Sequence, residues 1–172
     1  MNQINTQYHS TQIGKVILGS FRGKLCLLDF VKGKTRGIVE DRIRQVLNAE
    51  LVEQDDEILR ETRRQLDEYL EGQRKGFDIP VLMVGTDFQK DVWSAVMKVP
   101  YRATSTYSQI ARDIGNERAV RAVGNAMAAN PIVIIIPCHR IVGSDKTLVG
   151  YGGGLSLKRR LLTLERRNAS TL

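Results

Sequence analysis

At 172 residues, with 42% hydrophobic and 26% charged residues, the chain has the composition of a globular protein with a sizeable core, which excludes disordered and fibrous classes. No apolar run approaches the roughly 20 residues that cross a bilayer, the N-terminus lacks a secretory pattern, and two Cys make no disulfide scaffold. A cytoplasmic protein in a reducing compartment, with no membrane partner, is therefore expected. Residues 1–84 carry 13 Lys/Arg against 13 Asp/Glu and residues 85–172 carry 13 against 6, so the whole formal charge of +7 lies in the second half. Such a half suits a polyanion such as DNA, although a solvated basic surface has the same composition.

In chain order, Val16-Ile17-Leu18-Gly19-Ser20-Phe21 and Leu25-Cys26-Leu27-Leu28-Asp29-Phe30-Val31 are apolar runs separated by Arg22-Gly23-Lys24, the pattern of a β-hairpin. Cys26 sits among core residues with no His nearby and reads as structural. His9 reads as an ordinary polar residue, and no metal site is expected. Segment 32–54 is mixed and charged, with a helix near 40–48. Over 55–71, apolar residues recur at Ile58, Leu59, Leu66, Tyr69 and Leu70, an amphipathic surface helix whose charges form a solvated face rather than a site. A turn over 72–76 and a strand or connector over 77–84 lead to a boundary between two lobes, 1–84 and 85–172.

From Thr86 the period becomes helical. Thr86 with Gln89 is a capping-box pattern, opening a helix that turns Phe88, Val92, Trp93 and Val96 inward and ends at Pro100. Trp93 reads as core rather than as a platform for a base. Thr106 and Gln109 repeat the pattern for a helix to Ile114, Gly115 supplies a turn, and Asn116 caps a helix over 117–129. Helix, Gly turn, helix is the helix-turn-helix layout. The second helix presents small residues (Ala119, Ala122, Gly124, Ala126, Ala128, Ala129) beside Arg118 and Arg121. Small side chains bring a helix close to a duplex but cannot read base edges across a major groove, which favours phosphate and minor-groove contact. Ordinary packing of this helix against a lobe is the alternative.

Residues 132–136, four Ile and one Val, read as a strand buried on both faces. Pro137 cannot donate to a ladder and ends it. Cys138 follows, with His139 and Arg140 directly after it. Cysteine reacts as thiolate, and a neighbouring imidazole or guanidinium lowers its pKa from about 8.5. A lone Cys in an apolar stretch is most often core filling. Against that, one of only two His in the chain is its neighbour.

Pro137-Cys138-His139-Arg140-Ile141-Val142 resembles the active-site signature of the O6-alkylguanine-DNA alkyltransferases. Downstream, Gly150-Tyr151-Gly152-Gly153-Gly154-Leu155, Lys158 and Leu161-Leu162-Thr163-Leu164-Glu165 are similar to that family. So, upstream, are Gly85-Thr86-Asp87-Phe88-Gln89, Trp93, Val99-Pro100-Tyr101 and Ala119-Val120-Arg121-Ala122-Val123-Gly124. The likeness covers residues 79–168 specifically and the N-terminal half more loosely. It implies a two-lobed α/β (α+β) fold, with a ribonuclease-H-like small-sheet lobe followed by a mostly helical, winged-helix-like DNA-binding lobe.

The same resemblance implies irreversible, single-turnover transfer of an alkyl group to Cys138 from O6-alkylguanine, and from O4-alkylthymine, in double-stranded DNA. The damaged nucleotide is extruded from the stack. Carried over by position, Arg121 enters the base stack, while Tyr107 crowds the 3′ phosphate and hydrogen-bonds the leaving guanine. His139 acts on Cys138 as general base through a water, and Glu165, the only carboxylate after Asp145, orients the imidazole. Asn130 ties the recognition helix to the reactive segment. Backbone groups of Cys138 and Ile141 meet the guanine amine, and those of Tyr151, Gly152 and Gly153 meet O6 and the ring. Arg118, Ala119, Ala122, Gly124 and Arg140 join the DNA contacts. No cofactor is implied, and a monomer is expected, with cooperative loading on DNA left open. Val133 stands where some relatives carry Pro, and Val149 where some carry Gly or Thr, which narrows the pocket. Two other readings share these residues: a helix-turn-helix protein that binds lesions without chemistry, and a thiol hydrolase using Cys138, His139 and Glu165.

Overall fold

The computed structural model describes residues 2–33, 36–144, 151 and 154–168. Strands β1 (Asn2–Thr11), β2 (Gly14–Phe21), β3 (Lys24–Phe30) and β4 (Ala49–Glu53) form one sheet in the order β3-β2-β1-β4. The first three are successive antiparallel neighbours, and β4 returns parallel to β1 after helix α1 (Arg36–Leu47). The expected hairpin is β2–β3. It turns through Arg22 and Gly23, both left-handed at φ 50° and 79°, the paired conformation whose twist matches that of the strands. Between Gly19 and Ser20 the register shifts, so that Cys26 is an extra residue on β3. Val16, Leu18, Leu25, Leu28 and Phe30 consequently face one core, and Ile17, Cys26 and Leu27 the other.

Helix α1 covers the second face with Val39 and Ile43, while α2 (Glu57–Leu70) brings Leu59, Leu66, Tyr69 and Leu70 to the first. Cys26 is fully buried, and burial pushes its thiol up to about 12, as suits a structural residue. His9 pairs with Asp67 at 2.8 Å.

In the second half come α3 (Asp87–Met97), β5 (Ser105–Thr106), α4 (Tyr107–Asp113), α5 (Val120–Ala128), a single 3-10 turn (Cys138–Arg140), β6 (Ile141–Val142) and α6 (Leu155–Asn168). Strand β6 pairs in parallel with β5. The capping box of α3 is complete: Thr86 accepts from the Gln89 N–H, and the Gln89 side chain accepts from the Thr86 N–H at 2.9 Å. Thr86→Ala should cost about 1 kcal/mol, visible as a fall of roughly 2–4 °C in Tm by differential scanning calorimetry. Trp93 is fully buried and donates through Nε1 to the Ala126 carbonyl at 2.8 Å. Among the described residues, no helix is long and apolar enough to cross a membrane.

Two expectations are corrected. Helix α5 begins at Val120 rather than 117, because Asn116 is taken up in the turn: its N–H donates to Ala111 and its carbonyl accepts from Ala119. Ala119 is left as an N-cap without a side-chain hydrogen bond. Residues 132–136 are not a strand either. Leu28 donates to the Pro131 carbonyl and Val133 to that of Leu28, which docks the segment beside β3. The chain then turns back through Ile134 (φ 73°), with Ile136 donating to Ile132 at 3.0 Å. The left-handed conformation of a β-branched residue costs roughly 1–2 kcal/mol, set here against burial of every side chain from Ile132 to Ile136.

Candidate active site

Cys138 is the first residue of the 3-10 turn, and Pro137 is its cap. It is only 5% exposed and lines a narrow cleft with Asp29, Met127, Ala128, Asn130, Val133 and Tyr151. Asn130 fixes this corner with three hydrogen bonds. Its Nδ2 donates to Cys138 Sγ at 3.2 Å and to the Ile136 carbonyl at 2.9 Å, and its Oδ1 accepts from the Ile132 N–H at 2.9 Å. The end of α5 just before it is held from the other lobe, where Arg42 of α1 donates to the Ala129 carbonyl at 2.9 Å.

Successive side chains of a 3-10 turn point about 120° apart, so three neighbours in sequence serve different surroundings. His139 and Arg140 both bond to Glu165 of α6, which is fully buried. Glu165 Oε2 accepts from His139 Nε2 at 2.7 Å, from Arg140 Nη2 at 2.9 Å and from the Tyr69 hydroxyl, while Oε1 accepts from the Arg102 N–H at 3.1 Å. An ionised carboxylate only accepts, so the imidazole proton lies on Nε2 and the free lone pair on Nδ1. Nδ1 is buried and makes no hydrogen bond among the described residues.

Burial disfavours the Glu165 charge, but the hydrogen bonds from His139 and Arg140 outweigh it and bring the carboxyl down to about 2. Burial lowers the pKa of His139, against the pull of Glu165, so the imidazole is neutral and able to take a proton. For Cys138 the expected lowering is corrected. Burial pushes the thiol up to about 12, opposed only in part by the Asn130 hydrogen bond and the Lys158 charge. Neither neighbour lowers the resting thiol, because His139 is neutral and Arg140 is committed to Glu165. Burial likewise raises Tyr107 to about 12, so its hydroxyl keeps its proton.

Tyr107 opens α4, and Gly124 of α5 faces its ring, a Cβ built there lying 4.0 Å from Tyr107 Cδ1. Arg118, Arg121 and Ala122 are exposed on one stretch of surface with Ala119 half-buried among them. Ile141 is fully buried in the ladder with Ser105. Arg140, expected among the DNA contacts, is 8% exposed instead, held by Glu165 and by the Val99 carbonyl at 2.8 Å. Tyr151 lines the cleft with its hydroxyl buried, whereas Gly152, Gly153 and Val149 lie outside the described residues.

Three residues in the site carried no role in the sequence reading. Tyr69 belongs to α2, the helix read as a solvated surface, and only its place on the apolar stripe hinted at an inward position. Lys158 is fully buried, with Nζ 5.8 Å from the Tyr107 ring centroid; burial lowers it to about 8, while charge on Cys138 acts to raise it. A Lys beside Leu157 and Leu161 on a buried stripe is rare enough to have been a signal. Asp29 closes the cleft from the N-terminal lobe, and nothing in the strand pattern marked it.

Residues 87–167 match the model of the 6-O-methylguanine DNA methyltransferase DNA binding domain, and residues 5–83 that family's ribonuclease-like domain. The chain is similar to a methylated-DNA–protein-cysteine methyltransferase of Methanosarcina barkeri, 46% identical over 91% of this chain and 93% of the relative. An inducible methyltransferase of that name from Bacillus subtilis is 43% identical over 84% of this chain and 82% of its own. Among solved structures, Mycobacterium tuberculosis OGT in complex with DNA superposes with a TM-score of 0.82 at 34% identity, covering 95% of this chain and 94% of that one.

Proposed function

The chain belongs to the 6-O-methylguanine DNA methyltransferase family, and from that premise we propose that Cys138 takes the alkyl group, served by His139, Glu165 and Tyr107. The protein repairs DNA by direct transfer of an alkyl group from the damaged base to its own cysteine. The observation that most supports the residue assignment is the Cys138 thiol in a narrow cleft, held by Asn130, beside a neutral His139 backed by Glu165.

In the proposed step an S–C bond forms at Sγ as the C–O6 bond breaks. The thiol proton passes through a water to Nδ1 of His139, and the imidazolium so formed is stabilised by Glu165. Guanine leaves as an anion, accepts a hydrogen bond from Tyr107 and is protonated, so that the net proton movement is from sulfur to base. Lys158, buried near the thiol, favours the thiolate as it forms. The product thioether is not a leaving group, and each molecule therefore acts once.

DNA is the partner of this family's solved complex. For this chain we assign the approach to α5, where Arg118, Arg121 and the N–H groups of an N-terminus without a side-chain cap suit phosphates. Small Ala119 and Ala122 allow close contact at the minor groove, and Arg121 enters the stack when the nucleotide leaves it. O4-alkylthymine fits the same chemistry, the division into working halves falls at 84/85, and the protein acts as a monomer.

Intact-mass measurement after incubation with a duplex carrying O6-methylguanine tests this reading. The wild type should gain one CH2 per molecule and stop at one lesion, while Cys138→Ser gains nothing. Tight lesion binding with no mass gain would make the site a recognition pocket, and sustained turnover of an ester would make it a hydrolase.

A further inference from the structure

Asp29, to which alkyl transfer gives no role, lines the cleft over Cys138, and its charge acts on the buried Tyr151 hydroxyl there. Asp29 of β3 is 5% exposed, and its Oδ1 accepts the Phe30 N–H at 2.9 Å. Among the described residues, the other charged groups acting on it are Glu40, which raises it, and Arg36, which lowers it and is itself paired with Glu40 at 3.1 Å. Burial pushes its carboxyl up to about 6, which still leaves it ionised at pH 7.5. Its neighbours around the cleft are mainly apolar: Met127, Ala128 and Val133, with the buried Tyr151 hydroxyl.

The carbon attacked by Sγ must enter this cleft, so whatever that carbon carries is held between the same walls. We propose that Asp29 is a specificity-determining residue that selects the transferred group by charge, rejecting adducts that end in a carboxylate and admitting neutral or cationic ones. The proposal rests on transfer to Cys138. A second carboxylate beside Asp29 would meet a like charge in a confined site, a repulsive device for discrimination that Lys158 near the thiol offsets only in part. A methyl group feels none of this, and an ammonium at the same place would pair with Asp29.

Single-turnover rates on duplexes carrying O6-methylguanine, O6-carboxymethylguanine and O6-(2-aminoethyl)guanine, at one pH near 7.5, test the proposal in the wild type and in Asp29→Asn. The variant should raise the carboxymethyl rate relative to methyl by roughly 10- to 100-fold, the range given by two charges about 6–12 Å apart at an effective dielectric near 20. The methyl rate of each protein is the reference against which its own carboxymethyl and aminoethyl rates are read. An unchanged carboxymethyl-to-methyl ratio overturns the proposal, as does an equal change on all three duplexes. Should Asp29→Asn fail to fold, the wild type decides: aminoethyl transfer must outrun carboxymethyl transfer, and the reverse order rejects charge selection. Absence of methyl transfer by the wild type would instead reject the alkyl-transfer reading itself.

Discussion

Glu165→Gln is expected to lower the transfer rate by about 10²–10⁴-fold and to destabilise the fold by about 3–5 kcal/mol. The stability loss arises because Arg140, 8% exposed, keeps its charge in a buried site once its partner is neutral. The rate loss arises because an amide can present its NH2 as readily as its oxygen to His139 Nε2, so the tautomer with a free Nδ1 lone pair is no longer enforced. The pH dependence follows from the depressed carboxyl. With about 2 in the folded state against 4.5 ordinarily, the charge of Glu165 contributes on the order of 3 kcal/mol. That contribution is complete above pH 4.5 and is lost as pH falls from there towards 2. Asp29 runs the opposite way: raised from 3.8 to about 6, its charge costs stability in full above pH 6, and that cost fades as pH falls from there to about 3.8. Chemical denaturation of both proteins from pH 7 to 3 checks the assignment. The wild type should converge on the variant on acidification, and a gap that stays constant would place the stabilisation elsewhere.

Most local structure was legible because local chemistry specifies it. The hairpin was marked by apolar runs about a Gly turn, and α3 and α4 by Thr with Gln three residues on. Strand β1 was missed because Asn, Gln, His and Ser leave it without the apolar alternation that marks a strand. It is held by pairing on both edges, to β2 and to β4, which no local pattern reports. The run from Ile132 to Ile136 misled because an all-apolar segment satisfies a buried strand and a buried turn equally, and the left-handed Ile134 is imposed by docking on Leu28. In the site, Cys138, His139 and Glu165 could be named, with Glu165 orienting the imidazole, but not that Arg140 turns to the same carboxylate. Adjacency suggested an activated thiolate; the 3-10 turn sends those groups to Glu165, 25 or 26 residues on. Tyr69, 96 residues from Glu165, and Asp29 reach the site only through the meeting of the two halves, a tertiary fact.

Asn130 separates the placement of the thiol from its electrostatics, and two substitutions should part them. Asn130→Ala removes all three side-chain hydrogen bonds and strands the Ile132 N–H in a buried turn, while the Ile136 carbonyl keeps the Cys138 N–H. At about 1–3 kcal/mol for the unpaired N–H and about 1 kcal/mol for the hydrogen bond lost at Ile136, the loss is about 2–4 kcal/mol. The turn that presents Cys138 then loosens, and transfer should fall roughly 10- to 100-fold, the penalty of a misplaced reacting atom. Asn130→Asp keeps the acceptor for Ile132 but turns the donor facing Sγ into a charge of the sign that the thiolate acquires. The thiol, already pushed up to about 12, would rise further. Asn130→Asp should therefore lose less stability than Asn130→Ala and at least as much transfer rate, measured side by side by thermal unfolding and single-turnover repair of O6-methylguanine. If rate tracks stability across the two variants, Asn130 acts only as a strut of the turn. If Asn130→Asp is the slower protein and the more stable one, the amide directed at sulfur is part of what makes a buried, protonated cysteine able to react.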